Sequence, residues 1–137
     1  MKSKILFLTA FAFVLSACAP AANSVFEAGN VELRPGQSLD DVQSGSVLTF
    51  VEIVTDSRCP ADAICVTSGF VQILLRIEQG ELTRDVALTL GDMTAGDTDT
   101  VEVGGFTVTL VDVQPYPLAS NPVDYADYTI TLDLQAP

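Results

Sequence analysis

The sequence contains no histidine and no tryptophan among its 137 residues, and only six lysines and arginines. Without histidine there is no side chain for a Ser-His-Asp triad or for the commonest kind of zinc ligand. Two carboxylates would suffice for glycoside hydrolysis, but with 18 acidic residues the sequence singles out no pair. We therefore predict that this protein is not an enzyme.

The first residues combine a basic start with an apolar centre. Lys2 and Lys4 precede an apolar run over residues 5–15, and small residues follow it. This order is typical of a secretory signal peptide. The run is shorter than the roughly 20 residues that span a bilayer, which disfavours an uncleaved anchor helix. A plain secretory signal that is cut elsewhere is the other alternative.

The end of this segment reads Leu15-Ser16-Ala17-Cys18. It resembles the bacterial lipoprotein signal, in which the cysteine after the small residue is lipidated and begins the mature protein. The resemblance implies a signal peptide over 1–17 and lipid chains, such as palmitate, on Cys18. The protein would then be anchored to a membrane of the cell envelope. In a Gram-negative organism, Ala19 after the cysteine favours the outer membrane.

Charge becomes one-sided once the signal is removed. Loss of Lys2 and Lys4 changes the net charge from −12 to −14, because four arginines then face all 18 carboxylates. The electric field of this negative charge repels phosphate backbones, so we predict no nucleic-acid partner. It also repels anionic headgroups, which leaves membrane attachment to the lipid. The acidity either provides solubility, for example in a salty habitat, or forms a face for cations or a basic partner.

The two remaining cysteines are Cys59 and Cys65. A pair of cysteines in an exported chain predicts a disulfide bond. The five intervening residues differ from the C-x-x-C spacing of redox sites, so we expect a structural crosslink.

Strand patterns dominate the chain after a short tether. Residues 18–30 are small and aperiodic, and we predict that they form the lipidated cysteine and a flexible tether spanning about 20 Å. Alternating or continuous apolar residues then predict strands. These lie near 31–34, 47–55, 71–78, 86–90, 101–103, 106–110 and 128–134. Gly104-Gly105 suits a tight hairpin.

These patterns predict an all-β fold, a single antiparallel β-sandwich of about seven strands over residues 31–137. A small β-barrel is the alternative. The Cys…Trp…Cys signature of immunoglobulin domains is absent, so the likeness to that sandwich is architectural and implies no function.

Charged residues, cysteines and turn-forming residues are most concentrated in the segment Asp56-Ser57-Arg58-Cys59-Pro60, which is followed by Cys65 and Gly69. It resembles a family of small uncharacterised exported bacterial proteins with a D-S-R-C-P run, a second cysteine and a glycine before a strand. The likeness extends to Pro35-Gly36-Gln37, to residues 113–117 and to the last strand, so it covers most of residues 30–135. The family usually has tryptophan where this chain has Thr67. The resemblance implies the same fold and disulfide.

This segment can be interpreted in two ways. Pro60 fixes its backbone, and Arg58 can form charge-assisted hydrogen bonds with Asp56 and Asp62. These groups either stiffen a crossing between two strands or form a rigid recognition loop. Exported hydrolase inhibitors often present such a loop.

A second candidate is the polar loop that contains Asp92, Asp97 and Asp99. Oxygen-rich acidic loops bind calcium, but the EF-hand spacing is missing. The loop is therefore either a calcium site or a solvated connection.

The sequence thus predicts a lipid-anchored binding module of the cell envelope, whose partner is a protein or another envelope component. The alternatives are a hydrolase inhibitor that presents the Cys59–Cys65 loop and a calcium-stabilised structural lipoprotein. No cofactor other than calcium is expected.

Overall fold

The computed structural model describes residues 24–41 and 43–137, and these residues form two packed β-sheets. The strands are β1 (Ser24–Val25), β2 (Gly29–Leu33), β3 (Ser38–Asp41), β4 (Ser46–Asp56), β5 (Phe70–Gln79), β6 (Leu82–Gly91), β7 (Thr100–Val103), β8 (Phe106–Gln114) and β9 (Thr129–Gln135). A short 3-10 helix, Tyr125–Asp127, precedes β9.

The sheets have the orders β1-β3-β4-β5-β6 and β2-β9-β8-β7. Neighbouring strands are antiparallel except β1 and β3, which form a two-residue parallel pair. The sheets do not close on each other, so the predicted β-sandwich is confirmed and the barrel alternative is wrong.

Strand alternation produces the core. In β5, Val71, Ile73, Leu75 and Ile77 are fully buried, while the residues between them are more exposed. Side chains on a strand point to opposite faces in turn, so one face of β5 packs against the other sheet. Leu110 and Leu132 face it from β8 and β9, and their burial completes a single core.

The beginning of the domain differs from the prediction. Residues 24–30 were predicted to belong to the tether, but the structure places them in the domain. Phe26 is buried, and its ring centroid lies 5.6 Å from that of Phe106. The domain therefore begins by residue 24 rather than at 31, and the tether prediction is wrong over 24–30 because an aromatic ring anchors that segment to the core.

The described strands also number nine instead of about seven. The seven predicted strands are all present, and β1 and β3 are additional. Both are short, and β3 contains only one apolar residue, Leu39. Short strands of this kind carry too few residues to show an alternating pattern.

Connections of two kinds gather at opposite ends of the sandwich. One end, here called the hairpin end, contains tight turns at 80–81 and 104–105 and the β3–β4 turn. The opposite end, here called the loop end, contains the long connections 57–69, 92–99 and 115–128 and the β2–β3 turn. The described residues that the sequence proposed for a recognition loop or a calcium site all lie at or beside the loop end.

Candidate functional site

The connection between β4 and β5, residues 57–69, is closed by a disulfide. Cys59 and Cys65 are bonded, with their Cα atoms 5.8 Å apart, which confirms the predicted crosslink. We call this connection the disulfide loop. Its two arms are joined further by a backbone hydrogen bond of 2.8 Å from the Cys59 N–H to the Ser68 carbonyl. The loop is thus held together within itself.

Asp56 and Arg58 form a buried ion pair at the base of the disulfide loop. Arg58 donates from Nε to Asp56 Oδ1 at 2.9 Å and from Nη2 to Asp56 Oδ2 at 2.6 Å. The two side chains are only 7% and 8% exposed. Bidentate geometry of this kind fixes the guanidinium plane, which a single contact would not do.

The same guanidinium joins the two sheets. Its Nη1 donates to the Val113 carbonyl at 2.6 Å and its Nη2 to the Pro115 carbonyl at 3.1 Å. Its Cζ lies 4.7 Å from the centre of the Tyr116 ring. Arg58 therefore connects the end of β4 to the end of β8, and its donors are used within the domain.

Tyr128 completes this cluster from the beginning of β9. Its hydroxyl donates to Asp56 Oδ2 at 3.1 Å. Burial raises the pKa of Tyr128, and the nearby Asp56 charge raises it further. Burial opposes ionisation of Asp56, but the hydrogen bonds and charge of Arg58 outweigh it and hold the pKa of Asp56 below its ordinary value. The cluster thus holds Asp56 in its ionised form beside Arg58 and connects both to Tyr128.

Asp62 ties the disulfide loop to the long connection 115–128, here called the proline loop. Asp62 Oδ1 accepts the Ala119 N–H at 2.7 Å, and Oδ2 accepts both the N–H and the hydroxyl of Ser120. The Ala61 N–H donates to the Pro117 carbonyl at 3.0 Å. The backbone hydrogen bond from Ala119, with help from Ser120, lowers the pKa of Asp62. Two loops that are distant in sequence therefore form one body.

Gly69 allows the disulfide loop to return closely to β4. It has a φ of +71°, and a Cβ on it would overlap the Ser57 carbonyl oxygen. Its N–H donates to Asp92 Oδ2 at 3.0 Å, and its carbonyl accepts the Asp92 N–H at 3.0 Å. Asp92 therefore fastens the end of β6 to the disulfide loop.

Two apolar side chains of the disulfide loop have no packing partner. Ile64 is 103% exposed and Val66 is 104% exposed, one on each side of Cys65. Thr67, next to Val66, is also exposed. The loop thus combines a fixed backbone with a fully solvated apolar tip.

The three carboxylates considered for calcium have separate surroundings. Asp92 contacts Gly69, as described above, whereas Asp97 Oδ2 accepts the N–H and the hydroxyl of Thr94, both at 2.8 Å. These bonds from Thr94 lower the pKa of Asp97. The backbone carbonyl of Asp99 accepts the Leu110 N–H at 2.8 Å. Among the residues that the structure describes, no group of three or more Asp, Glu, Cys or His side chains is arranged to hold a metal ion.

Four residues were predicted to form a recognition loop, and all four have partners within the domain. Asp56 and Arg58 hold the sheets together, and Asp62 holds the proline loop. The carbonyl of half-buried Pro60 accepts the Ala63 N–H at 3.0 Å. Sequence reasoning missed Ile64 and Val66. The signal was present, since both are large apolar residues beside a crosslinked cysteine in a segment with no strand pattern.

Comparison with models of protein families, with curated proteins and with solved structures finds no match. Cys18 and the predicted signal peptide lie outside the described residues. No helix in the described part of the chain is long and apolar enough to cross a membrane. No pocket occurs among those residues either.

Proposed function

We propose that this protein is a lipid-anchored component of the cell envelope that binds a partner protein through the disulfide loop. The observation that carries the proposal is the complete exposure of Ile64 and Val66 on a loop whose backbone is fixed. Large apolar side chains gain about 1.5–3 kcal/mol each when they move from water into an apolar site. Their position is therefore favourable for binding and contributes nothing to the core.

The fixed backbone supports the same function. Binding loops lose affinity when they must become ordered, and preorganisation reduces that cost. The disulfide, the contacts of Asp62 and the Asp92–Gly69 hydrogen bonds all restrict the loop before any partner arrives. The proposal therefore explains why so many internal contacts support a segment whose tip packs against nothing.

Exposed apolar residues are more frequent in the long connections of the loop end than elsewhere among the described residues. Ten large apolar side chains of the described residues are exposed, and six of them lie in the three long connections of the loop end. These six are Ile64, Val66, Met93, Tyr116, Leu118 and Tyr125. Clustered exposed apolar residues mark interaction surfaces more often than scattered ones do.

The lipoprotein signal supports the location of the partner. If Cys18 carries the lipid, residues 18–23 connect it to the first described strand. Six extended residues reach about 20 Å at most. The domain would then work close to the membrane surface, so its partner is a protein of that membrane or of the adjoining envelope.

Site-specific photo-crosslinking in the producing cells tests this function. A benzophenone side chain is placed at Thr67, beside the apolar tip, and at Glu81 of the hairpin end as the control. We expect a discrete protein adduct from position 67 only. The adduct should disappear in the Ile64→Ser/Val66→Ser variant and persist in Leu82→Ser, which removes an exposed apolar side chain elsewhere. Equal adducts from both positions would contradict the proposal.

Inhibition of a hydrolase is the second candidate. A specific observation favours it, because the exposed residues flank a crosslinked cysteine on a loop that is held from both sides. An inhibitor would reduce the activity of its target in proportion to its concentration. Assays of purified envelope peptidases and glycosidases, with the Ile64→Ser/Val66→Ser variant as control, would identify that activity. Simple binding predicts no loss of activity in any of them.

A further inference from the structure

The three long connections of the loop end have a one-sided charge. Over 57–69, 92–99 and 115–128 the sequence contains a single cation, Arg58, which is buried and paired with Asp56. The same segments contain six aspartates: Asp62, Asp92, Asp97, Asp99, Asp124 and Asp127. In the fourth connection of this end, Arg34 is the only exposed cation. The apolar tip therefore belongs to an end of the sandwich whose long connections carry a strong excess of negative charge.

The other arginines do not alter this pattern. Arg76 pairs with Asp85 at 2.8 Å on an exposed strand surface, and Arg84 donates to the Glu102 carbonyl at 2.8 Å. Both lie on β5 and β6 toward the hairpin end. Arg76 and Arg84 are thus engaged away from the loop end, which keeps its excess of negative charge.

We infer that the binding partner presents an apolar recess bordered by lysine or arginine side chains, which receives Ile64 and Val66. This inference rests on the proposed function and adds the chemistry of the partner. Charges of opposite sign around an apolar contact raise the association rate and exclude competitors of the wrong sign. An acidic partner would meet a repulsive field before its apolar surface could touch the tip.

The same charge argues against a lipid bilayer as the occupant. The tip has two apolar side chains that could enter a membrane, but six carboxylates lie in the same three long connections, and the only cation there, Arg58, is buried and paired. Envelope membranes carry anionic headgroups, which attract basic segments and repel acidic ones. A protein with an apolar recess and a basic rim could bury the apolar tip and also attract the acidic connections.

The test uses the full chain with the benzophenone at Thr67 and changes only charge. Asp124→Asn/Asp127→Asn removes two carboxylates of the loop end, and neither side chain makes a hydrogen bond in the described structure. Glu27→Gln/Glu81→Gln is the matched control, because it removes two exposed carboxylates outside that end. We expect the first variant to lower the protein adduct about three- to tenfold and the control to leave it within about twofold. In extracts, raising NaCl from low to high concentration should weaken the adduct of the native chain more than that of Asp124→Asn/Asp127→Asn.

Each result decides the inference. An adduct that depends on Ile64 and Val66 but ignores both charge pairs and salt would overturn the basic rim while the proposed function stands. Transfer of the label to lipid instead of protein would overturn the partner's identity. Absence of any adduct from position 67 would overturn the inference together with the proposed function.

Discussion

The hairpin end and the loop end of this sandwich order their connections in different ways. At the hairpin end, two-residue turns reverse the chain, with glycines such as Gly80 and Gly104 at positive φ. Backbone geometry closes these two turns, whereas the β3–β4 turn of the same end is also held by Asp41, whose carboxylate accepts the Gln43 N–H at 2.9 Å and the Ser44 hydroxyl. At the loop end, long connections are ordered by side chains: a buried arginine, a capping aspartate and a disulfide. Long loops in a small domain need such contacts because ordering them costs conformational entropy.

This difference explains which residues of the loop end remain available to contact a partner. Polar and charged residues that resemble a reactive constellation, Asp56, Arg58 and Asp62, are used to order the loop end. The ordered loop holds Ile64 and Val66 in fixed positions, where both side chains are fully exposed to water. Among the described residues of the hairpin end, Leu82 is also strongly exposed, at 76%, but it is the first residue of β6 and pairs with Gln79 across the turn.

Removal of Arg58 should be the most damaging change at the loop end. Arg58→Ala leaves Asp56 buried without its cation and the Val113 and Pro115 carbonyls without a donor, which should cost about 3–5 kcal/mol. Arg76→Ala is the matched control, since its pair with Asp85 is exposed to solvent and should contribute little to stability. Urea unfolding of both variants measures the two losses. Equal losses would show that the Asp56–Arg58 pair is not the connection between the sheets.

Glycine substitutions should separate the two ends next. Gly69→Ala places a methyl group against the Ser57 carbonyl and should lower the free energy of unfolding by about 2–5 kcal/mol. The added methyl group of Gly80→Ala meets no atom within 4 Å. This substitution should lower the free energy of unfolding only through the strain of alanine at a positive φ, about 1–2 kcal/mol. Thermal unfolding followed by circular dichroism compares them. A smaller loss for Gly69→Ala would refute the close approach of the loop to β4.

Loss of the disulfide should have a moderate effect. Cys59→Ser/Cys65→Ser opens a short loop, for which the entropic stabilisation is about 2 kcal/mol, and should lower the melting temperature by about 5–10 °C. Asp62 should still hold the loop against Ala119 and Ser120. Hydrogen exchange of the Ala119 amide checks this. Full exposure of that amide in the variant would show that the crosslink, and not Asp62, orders both loops.

Acid should weaken the loop end through Asp56. The pKa of Asp56 in the folded protein lies below its ordinary value of 3.8, so the folded state binds fewer protons than the unfolded state near that pH. Its stabilisation is therefore present above about pH 4 and is lost as the pH falls through the folded pKa. The stability difference between the native chain and Asp56→Asn should be largest at pH 7 and shrink toward pH 2. A difference that stays constant with pH would contradict this origin.

The sequence predicted the regular parts of the fold better than the site. Alternation located β5 and the Gly104-Gly105 hairpin, because both depend on residues that are neighbours in the chain. The partners of Asp62 could not be predicted, since Ala119 and Ser120 are 57 and 58 residues away and the local spacing suggested Arg58 instead. Burial of Phe26 was missed for a similar reason, because its contact with Phe106 is set by packing.

The exposed tip should give the smallest effect on stability and the largest on binding. Ile64→Ser and Val66→Ser remove side chains that contact only water, so each should change the free energy of unfolding by no more than about 0.5 kcal/mol. Ile73→Ala, in the buried row of β5, is the opposite case and should cost about 2–5 kcal/mol through the cavity it leaves. Both kinds of variant are compared by urea unfolding and by crosslinking from position 67. A tip that matters for folding would show losses of stability near those of Ile73→Ala. If the tip serves recognition, its variants should lose the adduct while the domain stays as stable as the native chain. We expect this second pattern, because Ile64 and Val66 remain in water in the isolated domain and would gain the free energy of apolar burial only in a complex.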